Sequence, residues 1–328
     1  MTRLVALVSL LIAAVVGLAS EASAAQASCT WQVQQLPAPT GATQYQVDAT
    51  DHAGGYAGTA YVSGWRIVYW KNGQIVDYGS SGLGADRVVG QNRTGNIAAI
   101  SVNGLWGERS TSFRIRNGQR ESLPALPGAE QTSRAVGIAD NDDVYGNNLV
   151  WQTDHYVTQV VRWPQDRPTV VERVSGIPDG MKVVDVDRDG TLLVGPDLTY
   201  PWPYLWRNSA LTRLPEPPNT QHGYARSIGG GLVAGSLRIG SDSNHPAYWD
   251  RAGQPHQVTQ SAEAIQINAN GLFVAAQSAT PYQVWRLGTF EAQLANVNAI
   301  NTIGDDDSIG GSIRAANGSP AAAVWRCR

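Results

Sequence analysis

What this sequence lacks excludes a good deal. It holds two cysteines among 328 residues, so one bridge is the most it can form. No run of Lys or Arg occurs, and the formal net charge is -3. A chain that neutralises many phosphates needs a basic face, so nucleic acid and an anionic membrane surface are excluded as partners. After residue 18 no apolar stretch approaches the roughly 20 residues a membrane span requires, so none is expected. No Gly-x-Ser-x-Gly elbow, Walker loop or dinucleotide fingerprint is present, and no cofactor is implied. Ser241 to Trp249 only grazes the bacterial sialidase box, because the Gly is missing. Nothing after the first residues has helical periodicity.

The chain opens Met1-Thr2-Arg3, runs uncharged from Leu4 to Leu18, and reaches Ala22-Ser23-Ala24. A basic start, a short apolar run and a small-x-small site read as a secretory signal. Residues 1–24 are then removed, leaving 25–328 as one secreted domain and a monomer. The cysteines, Cys29 and Cys327, stand at the two ends of that mature chain. Export takes them to an oxidising compartment, where an even pair bridges. Lipidation of Cys29 is the rival. It lacks the aliphatic residue expected three positions upstream, where Gln26-Ala27-Ser28 stand, and it would strand Cys327.

Repetition dominates the rest. An apolar segment ends in Trp before a polar turn at Trp70, Trp163, Trp206, Trp249, Trp285 and Trp325, with Ile115 in the same slot of a seventh copy. Successive spacings are 45, 48, 43, 43, 36 and 40 residues, the period of a four-stranded propeller blade. A second motif alternates with it: tight Asp/Asn/Gly turns beginning near Asp51, Asn92, Asp140, Asp187, Gly229, Asn268 and Gly304. Such turns supply the positive φ of short hairpins. The runs between are short and rich in Val, Ile, Tyr and Trp, which reads as strands. Each unit is strand a, Asp/Gly turn, strand b, loop, strand c ending in Trp, turn, strand d. The fold expected is all-β: a seven-bladed propeller of four-stranded meander blades.

The last copy stops at its strand c, Ala323-Val324-Trp325-Arg326, while Trp31 to Leu36 reads as an orphan strand d. The N-terminal strand therefore completes blade seven, and Cys29 and Cys327 meet at the end of that pair. The units resemble the extracellular HAF-type repeats of bacterial secreted proteins, through Pro246-Ala247-Tyr248-Trp249 and Ala322-Ala323-Val324-Trp325. The His of that triplet is absent or, as His245, displaced by one. The resemblance implies a propeller outside the cytoplasm and no particular activity.

In a meander blade the a–b and c–d turns share one rim, and the b–c and d–a connections share the other. Function usually rides on the longer loops, expected on the second rim. Trp65, Trp106, Trp151 and Trp202 fall outside the repeat, each in or beside a b–c loop of blades one to four. Tyr156, Tyr200 and Tyr204 join them. Flat rings with polar handles suit stacking on a sugar. The same rings also suit packing of loops onto their neighbours. His155, His222 and His245 are the candidates for acid–base chemistry, with Asp154, Asp242 and Glu108 near them in loop terms. Their spacing is not a metal-ligand signature. Asp185 to Gly190 opens like a calcium loop, but Leu193 and Pro196 occupy later ligand positions, so it reads first as a hairpin turn. The leading functional expectation is a binding module for a glycan, or second for a protein, on the b–c/d–a rim. The alternatives are a lyase or hydrolase using a histidine there, and a structural or cell-surface interaction protein.

Overall fold

A computed structural model describes residues 30–103, 109–129, 132–196, 202–239, 243–258, 262–277 and 280–328. The signal-like segment and Cys29 lie outside these. The described residues form 28 strands in seven antiparallel four-stranded sheets, with no helix among them. In the first six blades the strands pair in chain order. Their inner strands, a, are Gln44–Thr50, Ala85–Gln91, Ser133–Ile138, Met181–Val186, Thr220–Gly229 and Glu263–Ile267. The seventh is Ala299–Ile303. Each inner strand packs on the next and the last on the first, which closes a ring around a central channel.

Blade seven closes as expected. Trp31–Gln35 adds as its outer strand to Pro320–Cys327, in a register that sets Trp31 opposite Cys327 and Gln35 opposite Ala323. Thr30 and Arg328 extend that pair by exchanging both backbone hydrogen bonds, at 2.9 and 3.1 Å.

Both repeat motifs occupy the places their chemistry suits. Every a–b turn carries a residue of positive φ, among them Gly54, Gly95, Asp142, Gly190, Gly271 and Asp307. The strand-c tryptophans fill the space between blades, and Trp70, Trp163, Trp249 and Trp325 are almost wholly buried. Burying a ring that size removes roughly 200 Å² from water, worth on the order of 5 kcal/mol as an upper bound. The indole N–H groups of Trp70, Trp163 and Trp249 donate to the carbonyls of Pro37, Pro124 and Pro215 of the preceding blade, at 2.7–2.9 Å. Trp206 does the same to Ser175 at 2.8 Å. The Leu-Pro pairs after strand d are thus the receiving half of a blade-to-blade staple, with Leu36, Leu123 and Leu214 buried beside it.

One expectation is corrected. Several b–c connections are not long loops. In blade three Gln152 pairs directly with His155, leaving a two-residue turn, and in blade one Tyr61 pairs with Trp65 across three residues. Between strand ends the b–c connections run from two to seven residues and the d–a connections from five to nine.

Candidate functional site

The channel is built by a device repeated in all seven inner strands. Each carries a β-bulge, at Asp48, Val89, Val136, Val184, Arg226, Ile265 and Asn301. A bulge inserts one residue against the partner strand, sharpens the twist and re-aims the side chains after it. The next residues form a ring: Ala49, Gly90, Gly137, Asp185, Ser227, Gln266 and Thr302. Two positions after the bulge comes a second ring, where Ile138, Val186, Ile228, Ile267 and Ile303 are aliphatic and only Thr50 and Gln91 are not. Together these rings enclose a cavity of about 120 Å³.

Polar residues line it from Asp185 through Ser227, Gln266, Asn301 and Thr302 to Asp48, and Thr50, His52, Gln91 and Arg188 also stand in its wall. Both acids line the cavity and are half-buried. Burial pushes the Asp48 carboxyl up to about 6, against hydrogen bonds from Thr59 (2.7 Å) and Gln46 (2.6 Å) and the charge of Arg87. Burial likewise raises Asp185 to about 6, although the Ile228 and Val186 N–H groups each donate to it at 2.8 Å. Neither carboxyl has a basic partner within 4.0 Å among the described residues.

The a–b mouth of the channel is crossed by charge. Asp305 of blade seven pairs with Arg188 of blade four, three blades away around the ring, and with Arg93 of blade two at 3.6 Å. Arg93 also faces Asp140 at 3.7 Å, and His52 lies 3.8 Å from Asp305. Burial lowers the His52 pKa, with Asp305 drawing it back up and Arg188 pushing it down. These residues share one repeat position, four after the bulge, so they come from separate blades onto one level. No local motif announces such a cluster.

The residues singled out on the other rim separate into three groups. Trp151 and Tyr156 face each other across the blade-three hairpin, edge to face with centroids 4.7 Å apart, and are 52% and 58% exposed. Trp65 is half-buried and meets Tyr61 edge to face at 5.5 Å. Trp202 and Tyr204 belong to the packing instead. Trp202 lies under the Arg213 guanidinium, 4.9 Å away, and against the backbone of Gly223 in the next blade. Tyr204 is half-buried against the core of blades three and four. Trp106, Tyr200, Glu108 and Asp242 lie outside the described residues.

The histidines do not converge. His155 begins strand c of blade three, exposed, with Nδ1 2.6 Å from Asp154. His222 is in the inner strand of blade five rather than in a loop, opposite Arg238 and near Tyr224, with centroids 6.4 Å apart. His245 is in strand c of the same blade, opposite Leu237. Among the described residues no three His, Cys, Asp or Glu side chains gather as a metal site would require. The Asp185–Gly190 turn has its oxygens engaged. Asp187 accepts from the N–H groups of Gly230 and Gly231 of the next blade, at 3.0 and 2.8 Å, and Asp189 accepts from Thr191 and Arg207.

No family model and no curated protein matches the chain. Solved structures do, as folds. A catalytically inactive virginiamycin B lyase from Staphylococcus aureus, solved with quinupristin, is 12% identical with a TM-score of 0.53, covering 90% of this chain and 99% of its own. A prolyl endopeptidase is 11% identical with a TM-score of 0.60, covering 87% of this chain and 50% of its own. A chain of the mitotic checkpoint complex is 10% identical with a TM-score of 0.53, covering 99% and 98%. At these identities the likeness is one of fold alone.

Proposed function

We propose that this chain is an exported binding propeller, a monomer of the HAF-repeat kind, whose ligand is a glycan docked on the b–c/d–a rim over blade three. The observation that carries the reading is the Trp151–Tyr156 pair. Two large rings half exposed to water hold each other in fixed geometry, so ordering them on binding costs little. The other face of the same hairpin carries polar groups. Gln152 and Gln159 both donate to Asp179, at 3.2 and 3.3 Å. The exposed aromatic rings match the apolar face of a sugar ring. A catalytic reading has less support, because the three candidate histidines occupy separate strands. The likeness to lyases and peptidases carries no reaction to this chain.

Export and a Cys29–Cys327 bridge belong to the same proposal. Cys29 is two residues before Trp31, whose strand partner is Cys327. Mass spectrometry of the exported protein should recover one linked peptide and no free thiol.

A glycan array probed with the wild-type chain tests the binding reading. Trp151→Ala with Tyr156→Ala should abolish any signal while changing stability by no more than about 0.5 kcal/mol per site, as for exposed positions. Trp202→Ala, which removes a packed ring, should instead cost about 2–4 kcal/mol and leave the array pattern unchanged. An array without hits, followed by retention of a protein partner that the double variant loses, would move the ligand to the protein class.

A further inference from the structure

The inner strands bring three bases together at the d–a mouth of the channel. Two residues before the bulge, one pleat outward from the cavity, blades two, three and four carry Arg87, Arg134 and Lys182. The other four blades hold Gln, Tyr, Glu and Ala there, so the position does not itself require a base. The residues that follow, Val88, Ala135 and Val183, are buried between blades. Alternation along the strand turns the bases the other way, towards the mouth, where Arg87 and Arg134 are exposed and Lys182 is half-buried. These three strands pack side by side, so like charges stand together in a chain whose net charge is -3. Elsewhere along the channel bases are paired: Arg93 and Arg188 with Asp305, and Arg226 with Glu263 at 2.6 Å. Among the described residues neither Arg87 nor Arg134 has a side-chain hydrogen bond or an ion pair. Asp48 acts on Arg87 by charge alone. Asp86, beside Arg87 in the strand, is buried against Ser81 and faces Arg120. At the bulges below the bases stand Val89, Val136 and Val184, and the acid after the last of them, Asp185, is held by the Ile228 and Val186 N–H groups.

We propose that the d–a mouth of the channel, over blades two to four, binds a small anion carrying two or more carboxylate or phosphate groups. Arg87 and Arg134 grip its oxygens and Lys182 adds charge. A guanidinium fork matches the geometry of either group and holds it through paired N–H bonds. Like charges side by side repel one another, and an anion among them turns that repulsion into attraction. The apolar wall below concentrates their field at the mouth. A group with a single charge would engage one guanidinium and leave the other unused. Three charges hold one small molecule, not the long run of phosphates that a nucleic acid presents. The site does not depend on the glycan reading of the rim. Trp151 stands on the b–c hairpin, four residues beyond Asn147, the strand-b partner of Arg134.

The test is calorimetric titration of residues 25–328 with citrate and with pyrophosphate, the carboxylate and phosphate arms, and with trimethyl citrate as the ester control. Saturable binding of at least one anion is expected at low salt, with a dissociation constant of about 1 mM or tighter, and the tighter of the two names the source. Raising the ionic strength to about 0.15 M shortens the reach of charge to about 8 Å and should weaken binding several-fold. Arg134→Gln and Arg87→Gln should each weaken it about tenfold or more. Their melting temperatures without ligand should stay level or rise, because neither side chain has a partner to lose. A purely structural role would lower them. Arg314→Gln, at the exposed end of strand b in blade seven, should leave the affinity unchanged, which separates the site from the general effect of net charge. Absence of saturable binding by both anions, undiminished binding in both arginine variants, an equal loss in Arg314→Gln, or equal binding of trimethyl citrate would overturn the proposal.

Discussion

Asp48 illustrates how a single position in a repeat can be turned to a different use. Its bulge position holds Val or Ile in four other blades, and here it holds an acid whose only close partners are neutral. Its folded pKa, about 6, lies above the ordinary 3.8. Between those values the folded chain holds the proton more firmly than the unfolded one. The resulting stabilisation is complete below the lower value and is lost as pH rises through about 6. Asp185 acts in the same direction. Asp51, Asp189, Asp250 and Glu172, whose values are lowered, act in the opposite one. The net pH profile therefore does not isolate Asp48, but a difference does. Asp48→Asn can keep the Gln46 bond to its oxygen and donate to the Thr59 hydroxyl. The melting temperature of the variant minus that of wild type should then grow from pH 4 to pH 8. A flat difference would mean that the acid does not titrate in this range.

At the scale of the strand, much was legible and some was not, for physical reasons. Strand-c tryptophans and Asp/Gly turns recur locally, so their spacing exposes seven blades, the rims and the orphan outer strand. The bulges leave no mark in the inner strands themselves, because an extra residue in a short strand looks like a shift of alternation. The channel lining stayed hidden for a related reason. It takes two to four residues from each blade, in groups about 40 apart, and no motif spans that distance. The rim aromatics were legible as breaks in the repeat, but their burial was not, since that depends on neighbours such as Gly223 and Arg213. Some glycines do record the bulges. Opposite the residue before the bulge, strand b carries Gly58, Gly146, Gly235 and Gly311. A Cβ on any of these would come within 1.9–2.3 Å of a carbonyl oxygen of the inner strand. The bulged backbone leans into that space. Gly235→Ala should therefore cost about 1–3 kcal/mol by overpacking against the Tyr224 carbonyl. Chemical denaturation would measure it, and a neutral outcome would show that the bulge relaxes freely. Ala99, at the equivalent position in blade two, makes the reverse change, Ala99→Gly, a useful control.

For the whole molecule the problem is closure, since a ring of blades fails wherever its first and last units part. Three devices oppose that, at different places. Trp31–Gln35 pairs across the seam with Pro320–Cys327. Asp305 joins blade seven to blades four and two across the channel mouth, and accepts from the Ala269 N–H of blade six at 3.0 Å. The Cys29–Cys327 bridge proposed above would fasten the seam covalently. The last two act on different states. A bridge closing almost the whole chain restricts the unfolded ensemble, by about 5–6 kcal/mol as an upper bound in the chain-entropy model. The Asp305 network exists only in the folded ring. Its side chains keep some solvent contact, so Asp305→Ala should cost about 2 kcal/mol rather than the full penalty of a buried pair. High salt should reduce that cost. Loss of the bridge, by Cys29→Ser with Cys327→Ser, should be insensitive to salt. Because the two act on separate states and share no partners, the triple variant should lose the sum of both effects to within about 0.5 kcal/mol. A shortfall larger than that would mean the seam and the channel mouth open together, as one cooperative step.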